Sequence, residues 1–150
     1  MNKYLIIGCS VALILVAVLF WQYGKRSRDA DLRARLTGTW TATYGSRVLG
    51  KMTFAPDGRF TNDFEYAESE GTYRVRNGLL VKATTRTGGT NLPMPIISRE
   101  RCDIGQQGTN IMMSLESLDS KGKPINSLRP SLPQYWKGTA PFHPSTNLRN

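Results

Sequence analysis

Tyr4 to Tyr23 is an apolar run of twenty residues without a formal charge, and nothing else in the chain limits its fold as much. An α-helix rises 1.5 Å per residue, so such a run extends about 30 Å, the thickness of a bilayer's hydrocarbon core. Its polar members are small or terminal, Ser10 and Gln22. Tyr4, Trp21 and Tyr23 stand at the ends, where amphipathic rings favour the headgroup level. The run predicts a transmembrane helix over 4–23 behind a short N-terminus, 1–3.

A cleavable signal has a shorter apolar region, about 7–15 residues, and small residues at its cleavage site. Here the run exits into Trp21-Gln22-Tyr23-Gly24-Lys25-Arg26, which offers no such site. Ile6-Ile7-Gly8-Cys9 is similar to a lipoprotein cleavage box, but such a box follows its apolar region and Cys9 precedes most of this one. A retained single-pass anchor in the inner (cell) membrane is expected. Gly8 and Ala12 lie one turn apart, a spacing that lets another helix approach closely. Lys3 precedes the run, whereas Lys25, Arg26, Arg28, Arg33 and Arg35 follow it. Cytoplasmic flanks carry the excess of Lys and Arg, so the body of the chain is expected in the cytoplasm. Export, with only the N-terminus left inside, is the alternative.

The remainder is long enough for one domain and hardly two. The net charge of +9 is high, and no acid follows Asp119. Lys121, Lys123, Arg129, Lys137 and Arg149 make the C-terminal segment purely basic. Basic residues beside a bilayer are drawn to anionic headgroups, so Lys25, Arg26 and Arg28 are candidates for the membrane surface. Nucleic acid is not expected, because no basic helix, zinc spacing or aromatic-basic RNA motif accompanies the charge. Cys9 in the span and Cys102 outside it cannot pair with each other.

From Thr39 the period becomes two. Trp40, Ala42 and Tyr44 alternate with threonines; Met52 and Phe54 follow; Phe60, Phe64 and Tyr66 alternate with Arg59, Thr61, Asp63 and Glu65. Asp57-Gly58 and Asn77-Gly78 supply the positive φ angles of tight hairpins. Glu68 to Gly71 reads as a further hairpin turn. Pro93 and Pro95 exclude a central strand where they stand. Strands are expected at Tyr73–Arg76, Leu79–Arg86, Ile96–Ile104 and Ile111–Leu118. Seven short strands predict an antiparallel up-and-down barrel over 37–119. It is preceded by a basic linker and short helix over 24–36, where Asp29 with Arg33 and Asp31 with Arg35 have i,i+4 spacing. The Pro-rich tail, 120–150, is expected to be irregular.

Leu36-Thr37-Gly38-Thr39-Trp40 resembles the Gly-x-Trp opening of lipocalin-like proteins. Met52-Thr53-Phe54, Asp57-Gly58-Arg59-Phe60, Gly71-Thr72-Tyr73-Arg74-Val75 and the Asn77-Gly78 turn resemble the small bacterial lipocalin-like domains. The resemblance covers about a third of the chain. It implies a meander barrel with Trp40 plugging one end, and it leaves activity open, since such domains serve as binders, inhibitors and structural modules.

Trp40, Tyr44, Met52, Phe54, Phe60, Phe64, Tyr66 and Tyr73 form the expected interior, as filling side chains or as a pocket lining. No catalytic, cofactor or metal set is expected: His143 has no second histidine, Cys102 stands beside Asp103, and Asp63, Glu65, Glu68 and Glu70 lack calcium-loop spacing. Leu128, Leu132, Tyr135, Trp136 and Phe142 are apolar residues that a solvating tail would avoid. They are candidates for contact with the barrel or with another subunit. Two functions follow ahead of a third, a hydrolase or thiol enzyme using Cys102. One is a non-enzymatic accessory subunit held by its helix beside other membrane-protein subunits; the other is an anchored binder of a small apolar ligand.

Overall fold

Alternating side chains and Gly-containing turns build an eight-stranded antiparallel barrel behind one helix in the computed structural model, which describes residues 3–65, 67–125 and 133–138, with side chains from Leu13 onward. Helix α1 is Lys3–Leu36. The strands are β1 (Gly38–Tyr44), β2 (Arg47–Phe54), β3 (Arg59–Phe64), β4 (Ala67–Arg76), β5 (Leu79–Thr87), β6 (Thr90–Gln107), β7 (Asn110–Leu118) and β8 (Gln134–Lys137). Each pairs with its neighbours in chain order, and β8 closes the barrel against β1. This is an up-and-down barrel consistent with a lipocalin-like fold.

Four expectations are corrected, and the span gains no support. The span and the linker helix are one unbroken helix, because the polar stretch after Tyr23 contains no proline and continues into good helix formers. Among the described residues no helix is long and apolar enough to cross a membrane; the run's residues before Leu13 lie outside the described side chains. Glu68 to Gly71 lies within β4, and the β3–β4 connection falls at 65–66 instead. Part of the tail is a strand: β8 sits between two proline-containing stretches, and without it β1 and β7 would keep unpaired edges. Finally, Tyr44 is not inside. A register shift after Ala42 leaves it at the strand's end beside a turn, 48% exposed.

Pro93 and Pro95 do lie in a strand, but off its paired positions. β6 pairs with β5 at Thr84–Ile96 and again at Arg86–Asn91, while β7 reaches no further up β6 than Arg99. The upper part of β6 is therefore an edge among the described residues, where proline is tolerated. At the Asn77-Gly78 turn both residues take positive φ, 55° and 73°, as a type I′ hairpin requires. Gly50 meets a different demand. A Cβ there would lie 2.1 Å from the Asp63 carbonyl oxygen and 2.6 Å from the Phe64 Cα, so β2 and β3 approach closely only because it is glycine.

The core lies at the end of the barrel that α1 enters. Leu36, Trp40, Met52, Phe54, Phe60, Tyr73, Leu80, Cys102, Met113, Leu115 and Tyr135 form one buried cluster, with Leu32 and Phe64 packed half-buried against it. Phe54 and Tyr73 meet edge to face at 5.0 Å between ring centroids. Burying such rings contributes about 1.5–3 kcal/mol each.

Candidate functional site

Two places concentrate chemistry: the junction of α1 with the barrel, and a charged pair inside it. At the junction the last two turns of α1 reach the barrel through Asp29, Arg33 and Arg35. The Trp40 indole Nε1–H donates to the Leu36 carbonyl at 2.7 Å, so the ring that plugs this end also closes the helix C-terminus. Arg33 donates to the Pro56 carbonyl at 2.8 Å, and Arg35 donates to the Ile104 carbonyl. Lys137 on β8 donates to the Arg35 carbonyl at 3.1 Å. The Asp29 carboxylate accepts the backbone N–H groups of Asn77 and Gly78, at 3.0 and 2.7 Å. The acids of the expected i,i+4 pairs are thus not what Arg33 and Arg35 bind. Carbonyls of the barrel compete successfully because they are fixed in place, whereas an exposed helical ion pair contributes only about 0.3–0.5 kcal/mol.

Within the barrel, register places Tyr73, Lys82 and Ser98 side by side across β4, β5 and β6. One pair further along, Val75, Leu80 and Glu100 are level. Lys82 and Glu100 therefore meet diagonally, Nζ to Oε1 at 2.7 Å, with each side chain about nine-tenths buried. The Lys82 ammonium also lies 5.8 Å from the centre of the Phe60 ring. Glu100 Oε2 is buried without a hydrogen-bond partner among the described residues. Burial, and then the Glu100 charge, pushes the Cys102 thiol up to about 12 and the Tyr135 hydroxyl also to about 12. Cys102 is consequently a protonated core thiol, the opposite of an activated nucleophile.

Sequence reading missed this pair. The one available signal is parity: Lys82 shares a face with Leu80, and Glu100 shares one with Cys102. Val81 and Ala83 make the other face of β5 equally apolar, so alternation alone does not say which side is inside.

Trp40, Phe54, Phe60 and Tyr73 are buried, and Phe64 is half-buried over Gly50. Tyr135 and Trp136, expected at a tail contact, are buried as parts of β8. Tyr135 faces the core, while the Trp136 Nε1–H donates to Thr43 Oγ1 at 3.0 Å on the opposite side of the sheet. Lys25, Arg26 and Arg28 lie on α1 beyond Tyr23, with Lys25 Nζ 3.7 Å from the centre of the Trp21 ring. Tyr66, Leu128, Leu132, Phe142 and His143 lie outside the described residues. The acids near the β3–β4 turn are partly engaged, Glu65 with Arg47 at 2.6 Å and Glu70 with Arg86 at 3.4 Å. Among the described residues no group of three or more His, Cys, Asp or Glu is placed to hold a metal.

The larger grooves lie outside the core. Two of about 460 Å³ run past Thr53, Thr61 and Glu70 and along α1 past Leu19, Tyr23 and Arg26, and a smaller one of about 230 Å³ past Asn62, Glu68 and Arg86. None of the three is lined by Lys82 or Glu100. No family model matches the chain, and no curated protein matches it.

Proposed function

We propose that this chain is a single-pass, membrane-anchored scaffold without enzymatic activity, an accessory subunit whose lipocalin-like barrel and tail lie on a neighbouring membrane protein. The observation that carries the reading is the double character of α1. Leu13, Ile14, Leu15, Val16, Leu19, Phe20 and Trp21 follow one another around its circumference with about half or more of their surface exposed, and nothing described covers them. Its last two turns are joined to the barrel by hydrogen bonds from both sides. A helix coated with apolar side chains at one end and fixed at the other supports an anchor that orients its domain, with the run Tyr4–Tyr23 in the bilayer. The basic exit supports a cytoplasmic barrel in the inner membrane.

The other reading, a binder of a small apolar ligand, gains nothing from this interior. Aromatic rings fill the helix end, and a ligand entering from the other end would meet Lys82 and Glu100, whose charges an apolar group cannot solvate.

Extraction and sizing test the scaffold reading together. The chain should stay in the membrane pellet at alkaline pH and, in mild detergent, elute in a complex larger than itself. Release by alkali overturns the anchor; a detergent-solubilised monomer overturns the subunit role. Orientation is read separately, by labelling a cysteine at Ser120 in a Cys102→Ala background. Protection in intact cells is expected, and labelling before lysis would reverse the topology.

A further inference from the structure

We propose that the β4–β5 turn and the exit of α1 together form a docking face for anionic phospholipid headgroups, an inference that rests on the anchor reading above. Asp29 fixes the geometry. By accepting the N–H groups of both Asn77 and Gly78, it holds the tip of this hairpin against the helix. Asp29 is six residues past Tyr23, so the tip stands only about 9 Å along the helix axis from the end of the apolar run. The headgroup layer on each face of a bilayer is about 5–8 Å thick. With the run in the hydrocarbon core, the turn therefore rests at the outer edge of the headgroups, within about one screening length of their charges.

Five basic residues gather at that level, against two acids, Asp29 and the exposed Asp31. Arg76 immediately precedes the turn, and Arg74 lies two residues back on the same outward face of β4. Lys25, Arg26 and Arg28 stand on the helix between the apolar run and the turn, about 3–8 Å along the axis past Tyr23. None of the five has a carboxylate within 4 Å among the described residues, and the nearby Asp29 is already engaged by backbone donors. Two sequence-distant clusters thus merge into one cationic surface, complementary to phosphate-bearing headgroups. Because the helix is unbroken between Tyr23 and Asp29, the surface cannot swing away from the bilayer without breaking the Asp29 contacts.

The test uses the full chain, with Cys9→Ala, Cys102→Ala and a spin label or dye on Asn77→Cys, reconstituted in vesicles of phosphatidylcholine with 30% phosphatidylglycerol. Short-range quenching by headgroup-labelled phosphatidylglycerol should exceed that by headgroup-labelled phosphatidylcholine, and high salt should abolish the excess. Replacing Arg74 and Arg76 by Gln should lower the preference about fivefold for each arginine. Lys51→Gln with Arg99→Gln removes equal charge from the barrel wall and should leave the preference unchanged. Equal loss in both double variants would make the effect one of net charge and overturn the docking face. A chain that resists alkaline extraction yet shows no quenching at residue 77 overturns this inference alone. Release by alkali overturns the anchor and this inference with it.

Discussion

At the end of the barrel where α1 joins, Leu36 and Trp40 are completely buried, and Asp29, Arg33, Arg35, Trp40 and Lys137 each bond a backbone group. At the opposite end Tyr44, Val48, Met94, Ile96 and Ile97 keep between 48% and 77% of their surface exposed. Ile96 even shares the inward register of Thr84, but no residue described above it shields it. The interior changes in the same direction: rings and Leu80 near the helix, then Lys82, Glu100, Ser98 and Asn62. A barrel wall can be continuous all round while its contents grade from an organic solid to a polar cup. The fold therefore concentrates its stability at the end that α1 enters.

The largest expected effect follows directly. Trp40→Ala removes a fully buried ring and the donor that closes α1, and should cost about 3–5 kcal/mol. Tyr44→Ala deletes an aromatic of the same strand at the other end and should cost well under 1 kcal/mol. Urea midpoints of the two variants measure the contrast. Similar losses would show that both ends are equally packed.

The charged pair tests the middle of the gradient. Lys82→Met leaves Glu100 buried without its counter-ion and should destabilise by about 3 kcal/mol, the low end for such pairs. Adding Glu100→Leu should restore most of that loss, since apolar groups of similar volume often replace a buried pair without cost. A double variant as unstable as the single would mean that Glu100 has partners beyond Lys82.

How much of this was legible in the sequence depends on what each residue's neighbours could reveal. Trp40 and the Asn77-Gly78 turn were readable because a Gly-x-Trp opening and an Asn-Gly pair act locally. Phe60 and Phe64 were readable because Arg59, Asp63 and Glu65 beside them make the alternation unambiguous. β8 was not, since four residues between prolines carry too short a pattern to separate from a loop. Tyr44 obeyed its strand's parity, and only the register shift shared by two strands removed it from the core. The junction was invisible for another reason: Asp29, Arg33 and Arg35 bind backbone groups, which leave no trace in side-chain spacing. The basic cluster Lys25, Arg26 and Arg28 is visible in the sequence, whereas Arg74 and Arg76 join it only through the contact of the β4–β5 turn with Asp29.

A smaller effect appears with pH. Cys102 and Tyr135 are raised in the folded chain, from ordinary values of 9.0 and 10.0 to about 12 each. Both are neutral when protonated, so the folded state holds its protons where the unfolded chain has released them. Stability is fully present below about pH 9 and declines as pH rises through 12. Cys102→Ala with Tyr135→Phe should flatten that decline, and denaturant midpoints at pH 8, 10 and 11 measure it. The native thiol should also be alkylated far more slowly at pH 8 than the unfolded one.

The smallest expected change is at the exposed rim, and it is the one most able to break the contrast between the ends. Met94, Ile96 and Ile97 stand on the part of β6 that β7 does not cover, so their burial contributes little to the isolated chain. Ile96→Ser with Ile97→Ser should therefore change stability by no more than about 0.5 kcal/mol, the usual range for surface positions. The same double variant should reduce self-association of the detergent-solubilised protein, because an uncovered apolar edge strand is a site for strand pairing between chains. A loss of 2 kcal/mol or more would mean that the free end is packed after all. The polar cup would then be closed by residues outside those described, and the stability of the barrel would no longer be centred on its junction with α1.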